Sequence, residues 1–105
     1  MPNEAGRVTE AEVAAAVLRA LEKQPNGEAS IDELTREVPK FLELGAEDRM
    51  QSETRQGEEL WQQQVRNIIG HRATPGNAIS DGLIEYSPNH MKLTDAGRSY
   101  LRSKG

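Results

Sequence analysis

Residues 82–94 read Gly82-Leu83-Ile84-Glu85-Tyr86-Ser87-Pro88-Asn89-His90-Met91-Lys92-Leu93-Thr94, and this stretch decides the fold class. Upstream of it the apolar residues recur at helical spacing; from Gly82 onward the period changes. Leu83–Tyr86 and Met91–Thr94 are short runs of apolar and strand-favouring residues on either side of Ser87-Pro88-Asn89-His90, a pattern that predicts strand, turn, strand. Proline presets φ for the second position of a type I turn, and asparagine tolerates the position after it. The expected class is therefore α+β: mainly α with a small β-hairpin, three helices ahead of it and a short C-terminal helix behind.

Immediately upstream, Trp61, Val65, Ile68 and Arg72 share one helical face, with Leu60 and Ile69 beside it. Glu58 and Glu59 place negative charge in the first turn, where the helix dipole favours it. A helix over 58–71 is expected, ended by Thr74-Pro75-Gly76-Asn77, with a short turn or helix over 78–81. The polar segment 46–56 reads as a surface connection with one helical turn near 46–50.

Further back, Ser30-Ile31-Asp32-Glu33 is a capping box and opens a helix with Ile31, Leu34 and Val38 on its apolar face. Pro39 removes an amide and disfavours a helical Val38, so that helix stops or kinks there. Phe41, Leu42 and Leu44 carry an apolar stripe on toward a C-cap at Gly45. A second box, Thr9-Glu10-Ala11-Glu12, opens a helix over 10–23 with Val13, Val17, Leu18 and Leu21 inward, and Pro25-Asn26-Gly27 ends it. Downstream of the hairpin, Thr94 is placed to cap a helix over 95–102. Residues 1–8 read as a flexible N-terminal tail, 9–102 as one domain and 103–105 as a C-terminal tail.

The totals bound the function. A chain of 105 residues fits one domain with one modest core. The absence of cysteine excludes disulfides and cysteine-based zinc sites and suits a reducing, cytoplasmic setting. No apolar run is long enough to span a bilayer and no signal peptide is read at Met1, so no membrane partner is expected. The net charge is −4, but residues 1–61 hold 7 basic against 14 acidic residues, whereas residues 62–105 hold 6 basic against 3 acidic. Such asymmetry can steer an anionic ligand to one face.

Three helices followed by a hairpin is the order of a winged helix-turn-helix domain. Gly82-Leu83-Ile84-Glu85-Tyr86 and Leu93-Thr94-Asp95-Ala96-Gly97-Arg98-Ser99-Tyr100-Leu101 resemble the ending found in many winged-helix DNA-binding domains. Ser30-Ile31, the long acidic connection, and Trp61 with Val65-Arg66-Asn67 ahead of the Gly-Leu-Ile-Glu strand resemble the N-terminal DNA-recognition module of Mrr-type restriction proteins, over roughly residues 12–101. The chain departs from that pattern in lacking a fused nuclease domain and in the longer step from His71 to Asp81. The resemblance implies a winged helix that presents helix 58–71 to the major groove of double-stranded DNA and the 87–92 wing to its backbone, in regulatory or restriction-type recognition.

The polar face of helix 58–71 is Gln62, Gln63, Arg66, Asn67 and Gly70. Arginine can hold guanine, and asparagine or glutamine adenine, through paired hydrogen bonds. A solvated helix face of ordinary composition fits the same residues. Arg72 is placed either to reach a phosphate or to cover Trp61 with its methylenes. His90 and Lys92 near the hairpin tip, Arg98 and Arg102 one helical turn apart, and Arg55 in the connection complete the phosphate candidates; Arg98 and Arg102 can equally pair with Asp95. The DNA-binding set is thus Gln62, Gln63, Arg66, Asn67, Arg72, His90, Lys92 and Arg98.

Trp61 lies in the apolar stripe and reads as core rather than as a stacking platform for bases. His71 reads as a helix C-terminal contact rather than a ligand. The pattern contains no serine elbow, no phosphate-binding glycine loop and no cysteine, so no enzyme, cofactor or metal is expected; a metal would need His71 and His90 to converge with Asp81 or Glu85. With few phosphate contacts a monomer binds weakly, so a homodimer through the first or last helix is a further expectation. The alternative is a protein-docking winged helix without nucleic-acid contact.

Overall fold

Apolar side chains of the first helix, α1 (Glu10–Glu22), make it the post around which the other elements pack: Val13, Val17 and Leu21 are fully buried, with Ala16, Leu18 and Ala20 beside them. The computed structural model describes residues 8–45, 49 and 59–104. After α1 come β1 (Glu28–Ser30), α2 (Ile31–Glu37), α3 (Leu60–Gly70), β2 (Ile84–Ser87), β3 (His90–Leu93) and α4 (Asp95–Lys104), with single 3-10 turns at Pro25–Gly27 and Val38–Lys40. The fold is α+β, with four α-helices and a three-stranded antiparallel sheet, in the order β1-β3-β2, among the described residues.

Both capping boxes form. The Thr9 hydroxyl accepts from the Glu12 amide at 3.1 Å while the Glu12 carboxylate accepts from the Thr9 amide at 2.8 Å. Ser30 and Glu33 repeat the exchange at 3.1 and 2.9 Å. Each cap stabilises its helix by about 1 kcal/mol. Pro39 does end α2: the helix stops at Glu37 and one 3-10 turn follows. The expected continuation to a C-cap at Gly45 does not form; Phe41, Leu42 and Leu44 instead pack, partly buried, against the core from an irregular segment. The expected turn at 46–50 and Arg55 lie outside the described residues, except Arg49, which reaches Glu59 at 3.5 Å.

The expected hairpin is present but is not alone. Glu28, Ala29 and Ser30 pair with Lys92, Met91 and His90, so β3 is the central strand. Three residues with one buried alanine give too short an alternation to read as a strand, and Ser30 also serves as the α2 cap. The tip differs too. Asn89 has φ of 60°, which belongs to the third position of a type II turn and not to the type I turn expected; asparagine tolerates this left-handed conformation, and proline suits the position before it in either type.

The boundaries also move. The helix expected over 58–71 runs Leu60–Gly70, with Glu59 as N-cap and His71 as C-cap. Val8, read as tail, is 2% exposed and belongs to the core, and α4 extends to Lys104.

The segment that carried the resemblance has a structural task. Thr94 Oγ1 donates to the Gly82 carbonyl at 2.6 Å and accepts from the Gly97 amide at 3.0 Å, and the Thr94 amide donates to the Leu83 carbonyl at 3.1 Å. A Cβ on Gly97 would collide with that same Leu83 carbonyl oxygen. Leu-Thr-x-x-Gly therefore latches α4 onto the start of β2, and glycine is needed because backbone meets backbone there.

Candidate functional site

α3 divides as its spacing predicts. Trp61, Val65 and Ile68 are buried, and the Trp61 Nε1–H donates to a Glu59 carboxylate oxygen at 2.7 Å, which makes Trp61 a satisfied core residue. The opposite face carries Gln63, Arg66, Asn67 and Gly70, with Arg66 and Gly70 exposed. Gln62 and Asn67, both expected to read bases, have local tasks. The Gln62 side-chain oxygen accepts from the Glu59 amide at 2.7 Å and so closes the N-terminus of α3. The Asn67 amide group donates to Gln64 Oε1 at 3.1 Å, and Gln64 in turn donates to the Val8 carbonyl at 3.4 Å. Among the described α-helices, α3 alone has no acidic residue, and the run 60–80 contains Arg66, His71 and Arg72 without one Asp or Glu.

Arg72 is held at the end of α3. Its Nη1 donates at 2.9 Å to the Ile69 carbonyl, which also accepts from the Arg72 amide at 3.2 Å, and its guanidinium lies 5.4 Å from the centroid of the Tyr86 ring. It covers Tyr86, not Trp61. Tyr86 shares the inward side of β2 with Ile84 and packs, half-buried, against the core rim. Sequence reasoning missed Tyr86; the only hint was its place two residues after Ile84, where a strand puts it on the same side.

The sheet brings His90 and Lys92 to one outward side, since Met91 and Leu93 are buried on the other. The register then sets Lys92 opposite Glu28 on β1 and opposite Glu85 on β2. His90 Nε2 lies 2.8 Å from Glu28 Oε1. Both Lys92 and His90 therefore stand among carboxylates. The Arg98 guanidinium rests against Gly27, in the space a Cβ there would need, and the Gly27 φ of 67° independently favours glycine. The eight expected contact residues do not form one basic strip; Gln62, Gln63, Arg66 and Asn67 stand on α3, Arg72 past its end, His90 and Lys92 on the sheet and Arg98 beside the Pro25–Gly27 turn.

The histidines do not converge. His71 Nδ1 is 2.8 Å from Glu10 Oε1 of α1, and His90 is held by Glu28 of β1, so neither meets Asp81 or Glu85. His71 thus makes its cap through the backbone while its ring joins the end of α3 to the start of α1. Among the described residues no group of three or more metal-ligating side chains occurs, and no helix is long and apolar enough to cross a membrane. The Glu33 carboxyl has a displaced equilibrium: the Ser30 amide, then the Ser30 hydroxyl, hold it below its ordinary value, with smaller help from Arg36 and His90 against desolvation.

No family model matches this chain, and neither the curated proteins nor the solved structures contain a match.

Proposed function

We propose that this chain is a winged helix-turn-helix module that binds double-stranded DNA through α3, in regulatory or restriction-type recognition, without catalysis. The order α1-β1-α2-α3-β2-β3, with β3 central, supports the winged-helix reading. One observation carries the DNA reading: α3 and the residues after it through Ser80 include no Asp or Glu in a chain of net charge −4, and α3 bears Gln63, Arg66 and Asn67 over a buried Trp61/Val65/Ile68 stripe. In the major groove, Arg66 suits guanine and Asn67 or Gln63 adenine. Gln62 is reserved for the helix cap. The hairpin contributes shape more than charge, because Glu28 and Glu85 bracket Lys92.

Protein docking is the second reading, favoured by that same bracketing of Lys92 and His90. A second copy of the chain is the partner that useful affinity calls for, and its seat is on α4, where Tyr100 is the exposed large apolar residue of the described part, since α1 is largely spent in the core. Titration of the protein with mixed-sequence duplex at low salt separates the two readings. Duplex binding that weakens steeply with salt supports DNA recognition; absence of binding at low salt contradicts it and leaves docking.

A further inference from the structure

We infer that Tyr86 is a positioning residue that holds Arg72 ready for a DNA phosphate at the junction of α3 and the hairpin, an assignment that rests on the DNA reading above. An arginine near a helix end normally samples many rotamers, and ordering it on binding costs affinity. Here the side chain is fixed at two points. Nη1 donates to the Ile69 carbonyl at 2.9 Å, and the guanidinium lies 5.4 Å from the Tyr86 centroid. The guanidinium has five N–H donors in a planar fork, and the Ile69 carbonyl uses one of them. Arg72 is exposed and Tyr86 half-buried, so the ring acts as a fixed floor and the cation as the outward layer.

The location gives the fork its ligand. Arg72 follows the acid-free α3 and sits over β2, between the helix face and the hairpin, whereas on the outward side of the sheet His90 is held by Glu28 and Lys92 stands opposite Glu28 and Glu85 in the register. No carboxylate is found within ion-pair distance of Arg72 among the described residues. A planar, pre-oriented guanidinium without an acid partner is matched by the paired oxygens of a phosphodiester. The aromatic floor matters because it holds the plane of the fork, a task that phenylalanine performs as well as tyrosine and leucine does not.

A double-mutant cycle on the full chain tests this, with duplex affinity and its salt slope as readouts and thermal unfolding as the control. R72Q should weaken binding about tenfold and flatten the slope of log K against log salt by roughly 0.9, the share of one phosphate. Y86L should weaken binding roughly threefold when Arg72 is present and leave it unchanged in the R72Q background, while Y86F stays near the parent. Equal losses from Y86L in both backgrounds would make Tyr86 merely structural and overturn the inference. Parent-like affinity and slope for R72Q would overturn it as well, with the DNA reading intact. A parent protein that binds no duplex at low salt removes the DNA reading itself, and this inference with it.

Discussion

The exposed face of α3 and the outward side of the sheet are both polar and both come from the basic C-terminal part of the chain, yet folding treats them differently. On α3, neighbours are residues three and four apart in the same acid-free run, so the local composition survives folding. On the sheet, neighbours come from other strands. β1 belongs to the acidic part of the sequence, and its Glu28 is brought against His90 and opposite Lys92, with Glu85 of β2 on the far side. Charge summed along a chain is therefore a fair guide to a helix face and a poor guide to a sheet. The hairpin itself sets Glu85 against Lys92, and β1 adds Glu28, so the sheet side shows none of the basic excess that follows position 61.

The largest expected effect is on the support of the helix face. Trp61→Ala should lower stability by about 3–5 kcal/mol, measured by urea unfolding, because it empties a buried site and frees the Glu59 carboxylate it satisfies. A loss under about 1 kcal/mol would mean that α3 is not anchored as described. Next comes the helix face itself. Arg66→Ala should cost about 1–3 kcal/mol in discrimination between a preferred duplex and one altered at a single base pair, read by competition binding. A uniform loss across all duplexes would reassign Arg66 to a phosphate.

The sheet side can be converted toward the helix side by removing its acids. The double variant Glu28→Gln with Glu85→Gln should strengthen duplex binding several-fold at low salt and steepen the salt slope by up to roughly 1–2, since Lys92 and His90 lose their carboxylate neighbours. Its stability should change by no more than about 1 kcal/mol, as these are exposed pairs. Unchanged affinity would place the hairpin away from the duplex altogether.

The smallest effect concerns the α2 cap that joins β1 to the helix. The Glu33 carboxyl is held below its ordinary 4.5 by the Ser30 amide and hydroxyl. A depressed folded value means that its contribution is present above the unfolded value and is lost as the pH falls through the folded one. Amide exchange at Ser30 should therefore rise on acidification below the ordinary carboxylate range, and Glu33→Gln should remove that dependence.

Much of the fold was legible because its determinants are local. Thr9/Glu12 and Ser30/Glu33 mark helix starts within four residues, Pro39 marks a stop, and the Trp61/Val65/Ile68 spacing tells inside from outside. What stayed hidden depends on partners distant in sequence. β1 exists because Ala29 fits opposite Met91, and nothing within Glu28-Ala29-Ser30 announces that. The same holds for the site. Gln63, Arg66 and Asn67 could be assigned to a face from periodicity, whereas the bracketing of Lys92, the seat of Arg98 against Gly27 and the platform under Arg72 each need a contact across the fold. The Leu-Thr-x-x-Gly latch adds a caution: the residues that carried the resemblance hold α4 to β2, so they speak to architecture and not to what is bound.

Backbone NMR of the full chain titrated with a mixed-sequence duplex at low salt tests the central claim most directly. The account predicts shifts at Gln63, Arg66, Asn67 and Arg72, with Glu28, Glu85 and Lys92 little changed. Shifts confined to α1, shifts centred on the outward side of the sheet, or no shifts at low salt would contradict it.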